Sequence, residues 1–158
     1  MSLQWLRIDD RLIHGQVVMA WCPHLHPDRL LLCNDRVAAD DWEQKIYQVA
    51  AADYPLRICT VRETVDFLHR ESTKTEKIFV VVESPRDVVA LLRLGLEITQ
   101  VNVGGMHIQA GKTEILPFLC VDDQDRECFR ILKDHHVDLD GRELPCSAPI
   151  DIAQCLGL

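Results

Sequence analysis

The longest apolar run in this chain is six residues, 17–22, and Pro23 follows it. A helix that crosses a bilayer needs about 20 such residues, so direct membrane insertion is not expected. Positive charge is also scarce: 17 Lys and Arg stand against 25 Asp and Glu, a formal net charge of −8. Affinity for nucleic acid is dominated by neutralising phosphates, so no nucleic-acid partner is expected, and anionic membrane surfaces are disfavoured for the same reason. The opening segment MSLQWLRIDD has no basic stretch followed by an apolar one and does not read as a secretory signal, which leaves the cytoplasm as the simplest address. Among Cys22, Cys33, Cys59, Cys120, Cys128, Cys146 and Cys155 there is no C-x-x-C pair, the count is odd and the spacings are wide. That pattern favours reduced, mostly buried thiols over a disulfide framework, and no metal site is read. Linkers, repeats and low-complexity runs are missing too. With 158 residues, 47% of them apolar, the chain reads as a single globular domain over 1–158.

What is present is alternation. Strand-like runs fall at 3–8, 29–33, 56–60, 77–82, 98–103, 113–119 and 137–139, about seven in all. The run KIFVVV is continuous and β-branched, as in a strand buried on both faces. Pro117 argues for an edge position or a bulge in the run 113–119. Between the strands lie helix-period segments. One covers 15–22 and stops before Pro23; the next starts at Asp40 or Asp41 with Trp42, Ile46, Val49 and Ala50 at helical spacing. Others follow Val61, the Ser84-Pro85 start and the acidic turn Asp122, Asp123 and Asp125, with a short terminal helix in 150–156. Trp21 and Trp42 are expected in the core. The β-α-β-α order predicts an α/β fold: an open, mainly parallel sheet with helices on both faces. Ligands of such sheets bind beyond the carboxyl ends of strands, which selects the loops 9–14, 34–37, 83–85 and 103–112.

The first of these, DDRLIHGQ, follows a strand and opens a helix. His14 stands at the helix start, where free backbone N–H groups and the helix dipole favour an anion. Gly15 leaves the backbone open to close approach, and Gln16 follows it. Arg11 offers a planar fork of donors to phosphate oxygens. A neutral imidazole nitrogen is a good nucleophile toward phosphorus. Asp9 or Asp10 can hold the second ring nitrogen, cap the helix or pair with Arg11.

The string RIDDRLIHGQV (7–17) resembles the active-site segment of the IIB component of the mannose/fructose/sorbose-type sugar phosphotransferase system. RLLLCNDRVAADDWEQ (29–44) and VNVGGMHIQAGKTEIL (101–116) are similar to later segments of that family, in one register over nearly the whole chain. The resemblance implies a phosphoryl carrier, hence a transferase: His14 takes a phosphoryl group from a histidine of the phosphorylated IIA component. It then passes the group to a sugar bound by the membrane IIC/IID components, with peripheral association at that transporter. Arg11 maps onto an arginine expected to bind the phosphoryl oxygens, with Asp10, Gly15 and Gln16 in support. Asp9, Asn34, Asp35, Gly104 and Gly105 are candidates for lining the cleft. No cofactor is implied, and self-association is left open. Cys22, Pro23, His24 and His26 stand where the family leads one to expect a basic or small residue after Trp21.

Other readings of the same residues compete. The segment from Gly105 to Thr113 nearly spells a nucleotide-binding loop, but five residues instead of four separate Gly105 from Gly111, and no helix follows. Gly104-Gly105 reads either as a turn needing positive φ or as a wall of the cleft. Asn34-Asp35 reads as an Asx turn, and His107, His24, His26, His135 and His136 as solvated. Arg7, Arg11, Arg36 and Lys112 are expected to gather as a positive or neutral mouth on an acidic body. The alternative to a phosphoryl carrier is a non-catalytic, flavodoxin-like binding or regulatory domain in which His14 is structural.

Overall fold

A computed structural model describes residues 3–70 and 74–158. Seven strands form one sheet: β1 (Leu3–Asp9), β2 (Arg29–Cys33), β3 (Leu56–Cys59), β4 (Ile78–Val82), β5 (Gln100–Gly105), β8 (Asp138–Gly141) and β9 (Ile150–Asp151), in the order β3-β2-β4-β1-β5-β8-β9. All neighbours are parallel except β8 and β9. The expected open, mainly parallel α/β sheet is therefore what forms.

The strand sequences explain how the sheet is covered. In β4 all five residues are buried. Successive side chains of a strand point to opposite faces, so Val80 and Val82 join one apolar cluster while Phe79 and Val81 join another. The first cluster packs under α4 (Val61–Leu68), α5 (Pro85–Arg93), α6 (Asp123–Asp134) and α7 (Ile152–Cys155), through Val65, Leu91, Phe129 and Ile152. The second packs under a π-helix (Gln16–Trp21), α1 (Cys22–Leu25), α2 (Asp35–Ala38) and α3 (Asp41–Ala50), through Val17, Cys22, Val37 and Tyr47.

Four local readings of the sequence are corrected. The first helix does not stop before Pro23: the chain runs through the π-helix into α1 and ends at His26, in left-handed conformation with φ 50°. Pro23 is accommodated because it occupies the first turn of α1, where a missing N–H costs no intrahelical bond. The run 113–119 is a hairpin, β6 (Thr113–Leu116) and β7 (Leu119–Val121), with Pro117 between the strands, not inside one. Gly104 and Gly105 have no positive φ; they end β5 in extended conformation.

Trp42 also stands outside the core in which it is expected. It is 72% exposed, with Ile46 at 51% and Val49 at 81%, whereas Tyr47, Ala50 and Ala51 face the sheet. Helical spacing defines a stripe but not which stripe meets the core. Trp21, by contrast, is fully buried, stacked on Trp5 at 5.5 Å, and donates its indole N–H to Glu143 O at 2.8 Å. Trp42→Ala is therefore expected to change stability by no more than about 0.5 kcal/mol. Trp21→Ala is expected to cost about 3–5 kcal/mol. Urea denaturation of the two variants separates the two positions.

The chain leaving β1 turns to the face of the π-helix, whereas those leaving its neighbours β4 and β5 turn to the face of α5 and α6. The strand connections thus diverge at β1, which is where open sheets place ligands. A crevice of about 410 Å³ opens there, lined among others by Asp10, Ser84, Met106, Gln109 and Lys112.

Candidate active site

Alternation along β1 sends Leu6 and Ile8 into the first cluster and turns Arg7 and Asp9 toward the other face. Arg7 and Asp9 are both completely buried. Arg7 donates from Nη2 at 2.9 Å and Nε at 3.3 Å to Asp9 Oδ2. Such burial is tolerable only because the charges are paired and hydrogen-bonded.

The loop after β1 folds back over this pair. Leu12 donates its N–H to the carbonyl of Asp9 at 2.9 Å and takes φ 58°, a conformation L-residues avoid. Its side chain is fully buried, which holds the turn in place. The turn brings His14 back so that its Nε2 lies 2.8 Å from Asp9 Oδ2. The N–H of Gln16 donates to His14 Nδ1 at 3.3 Å. Arg11 sits beside them with its side chain 38% exposed. Its Nε reaches Asp9 Oδ1 at 3.3 Å and its Nη2 donates to Gln16 Oε1 at 2.8 Å. Gly15 faces open space and no neighbour stands where its Cβ would be.

Burial by itself would raise the pKa of Asp9. The hydrogen bond from His14 and the positive charge of Arg7 outweigh it and hold the carboxyl well below the usual carboxylate range. Asp9 is therefore an anion that can only accept. Its contact with His14 requires the proton on Nε2, and the N–H of Gln16 pointing at Nδ1 requires a lone pair there. Both contacts select the same tautomer.

A second carboxylate–histidine pair adjoins the first. Asp10 accepts from the N–H of His107 at 2.6 Å and contacts His107 Nδ1 at 2.5 Å. Asp10 thus ties the loop after β5 to the loop after β1. His107 is half-exposed to solvent, as expected, and is held in place by this pair. Of the two carboxylates that the sequence leaves open for orienting His14, the geometry selects Asp9.

Gly104 and Gly105 matter through the space they leave. A Cβ on Gly104 would stand 1.9 Å from Cζ of Arg7, and one on Gly105 would stand 2.9 Å from Asp9 Oδ1. Asn34 caps α2 by accepting from the N–H of Val37 at 2.9 Å and donates to Glu83 at 2.9 Å. Asp35 accepts from the N–H of Val61 at 2.8 Å. These two side chains lie at the end of β2 and bond to neighbouring elements, not to the His14 loop. The cations expected at the mouth of the cleft are mostly neutralised. Arg7 is buried, Arg36 pairs with Glu43 and Glu83, and Lys112 pairs with the buried Asp125 at 2.9 Å. Each is neutralised by a carboxylate partner, and Arg11 is left as the half-exposed cation at His14.

A family model described as the sorbose-subfamily IIB component of the phosphotransferase system matches residues 3–158. The chain belongs to this family of IIB components. It is 31% identical over 153 residues to the sorbose-specific EIIB component of Klebsiella pneumoniae, covering 96% of this chain and 93% of that protein. It is 34% identical over 141 residues to the N-acetylgalactosamine-specific phosphotransferase enzyme IIB component 1 of Escherichia coli strain K12, covering 88% and 89%. The crystal structure of the IIBSor domain of the Klebsiella pneumoniae sorbose permease superposes with a TM-score of 0.94 at 30% identity, covering 99% of this chain and 97% of that one.

This IIB component is thus a phosphotransferase component of a sugar phosphotransferase system, in which IIB proteins work with IIA and with membrane IIC/IID components. From the sequence, Arg7 is expected only as a cation at the mouth of the cleft, His107 as a solvated loop residue, and Asn102 has no role. A usable signal for Arg7 exists: Arg7 and Asp9 lie two apart on one face of a buried strand, where charges survive only as a pair.

Proposed function

We propose that His14 is the phosphoryl carrier of this IIB component, with Nδ1 as the nucleophilic atom. The observation that carries this reading is the asymmetric hold on the ring. Nε2 is engaged by an anion at 2.8 Å, while Nδ1 accepts only a 3.3 Å bond from the first residue of the π-helix. The lone pair of Nδ1 attacks phosphorus, the N–P bond to the donor histidine of phosphorylated IIA breaks, and the donor ring regains its lone pair. The ring of phosphorylated His14 carries positive charge, which Asp9 balances across the Nε2–H bond. The N–H of Gln16 then donates to a phosphoryl oxygen instead of to Nδ1, at a helix start where anions are favoured. In the second step a hydroxyl of the sugar held by IIC/IID attacks phosphorus and gives up its proton to solvent, while the N–P bond to His14 breaks and its electron pair returns to Nδ1 as the lone pair of the neutral ring.

Arg11 is parked on Asp9 and Gln16 in the unloaded site and supplies a fork of donors for the loaded one. Arg11→Ala is expected to slow transfer by about 10²–10³-fold, the usual cost of losing one donor to developing charge. Arg11→Lys keeps the charge, loses the fork and is expected to fall between that variant and the wild type. Quenched-flow transfer from phosphorylated IIA measures both; wild-type rates in both would remove Arg11 from the site.

We place the protein in the cytoplasm as a single IIB domain over 1–158, docked peripherally on the membrane transporter. Among the described residues no helix is long and apolar enough to cross a membrane, which supports that placement. The test is phosphorylation by IIA followed by phosphorus NMR. Phosphate on Nδ1 of His14 is the expected result; phosphate on Nε2, or on another residue, overturns the reading.

A further inference from the structure

Arg7 is a charged side chain with no exposed surface, so it touches neither IIA nor a sugar. Its guanidinium has five N–H groups, and five bonds use them. Nε and Nη2 donate to Asp9 Oδ2, Nη1 to Asn102 Oδ1 at 2.6 Å and to Arg142 O at 3.1 Å, and Nη2 also to Glu143 O at 3.2 Å. No donor remains for a phosphoryl oxygen. The plane is fixed on one side by Trp21, 5.2 Å from Cζ, and passes through the space that Gly104 leaves. Asn102 is itself oriented, because its Nδ2 donates to Asp140 O at 3.1 Å and to Arg142 O at 3.2 Å. Asp9 Oδ2, the oxygen held by Arg7 Nη2 at 2.9 Å, is the same oxygen that meets His14 Nε2 at 2.8 Å.

We infer that Arg7 is a positioning residue: by fixing the Asp9 carboxylate, it locks His14 in the Nε2–H tautomer and so selects Nδ1 as the atom that attacks phosphorus. The inference rests on His14 being the phosphoryl carrier. Arg11 differs in kind, being half-exposed and able to leave Asp9 for a phosphoryl group.

Nitrogen NMR of ring-labelled histidine in the unphosphorylated protein reads the tautomer of His14 directly. Three variants perturb the lock to different degrees: Arg7→Lys, which loses the fork; Gly104→Ala, which displaces the guanidinium while keeping its charge; and Asn102→Ala, which removes one anchor. Each is expected to fold cooperatively and to shift His14 toward a mixture of tautomers, Asn102→Ala least. Transfer from phosphorylated IIA is expected to fall about tenfold to a hundredfold in kcat for Arg7→Lys, with KM for IIA unchanged, since Arg7 lies beneath the docking surface. A folded Arg7→Lys or Asn102→Ala variant whose His14 keeps the wild-type tautomer overturns the inference, whatever its activity. So does a shifted tautomer with an undiminished rate. Wild-type protein that takes no phosphate on His14 would instead overturn the carrier reading, and the tautomer comparison would still report on Arg7.

Discussion

His14→Ala is expected to abolish acceptance of a phosphoryl group from IIA while leaving a cooperatively folded protein. The loss is complete because no other group in the loop offers a neutral nitrogen lone pair: Arg11 is cationic, and Asp9 is spent on Arg7 and Arg11. The fold survives because the His14 side chain is 18% exposed and its one strong bond is to Asp9, which keeps both arginines. Losing a hydrogen bond to a charged group costs about 1.5–3 kcal/mol at most. Acid-labile, base-stable label transferred from radiolabelled IIA is the measurement, with thermal unfolding as the control. His107→Ala, at the neighbouring carboxylate pair, is expected to keep its label. Undiminished labelling of His14→Ala would remove the carrier role from this residue.

Asp9→Asn is expected to damage activity and stability together, for separate reasons. Asn fits the space but presents an amide that can donate to Nε2, which stabilises the opposite tautomer of His14 and puts a proton on Nδ1, where the lone pair should attack phosphorus. A histidine held in the wrong tautomer costs on the order of 10⁴-fold in the serine-protease triad, and a loss of about 10²–10⁴-fold is expected here. The same change leaves Arg7 buried without its counter-charge, which is expected to cost about 3–5 kcal/mol. The pH dependence isolates the second effect. The carboxyl of Asp9 is held well below its ordinary value in the folded protein. Its contribution to stability is therefore fully present above the unfolded pKa of about 3.9 and is lost as pH falls below it. The wild type should lose stability more steeply than Asp9→Asn as pH falls from about 4. Parallel acid limbs in urea denaturation would show that Asp9 is not the linked group.

The sequence alone carried the alternation of strands and helices, because period-2 and period-3.6 patterns are local and survive without knowledge of neighbours. The buried run of β4 and the carboxylate-capped start of α6 are cases where burial and capping are written in consecutive residues. The loop DDRLIHGQ was legible for the same reason: nucleophile, cation, carboxylates and helix start lie within eight residues.

Facing was not local. Trp42, Ile46 and Val49 form a stripe that points outward because the sheet meets α3 on its Tyr47 side. Arg36 and Lys112 read as free cations until Glu43, Glu83 and Asp125 meet them in space. The choice between Asp9 and Asp10 was equally closed to the sequence. It depends on a left-handed turn at Leu12, which returns His14 to Asp9, and on His107, 97 residues away, which takes Asp10. Arg7 shows the division most clearly. The sequence contains it, Asp9, Asn102 and Gly104, but only the register of β1 against β5 brings Arg7 beside Asn102 and over the space Gly104 leaves. A charge in a buried strand is stable only where partners and room converge on it, and convergence is a property of the packed sheet, not of any segment.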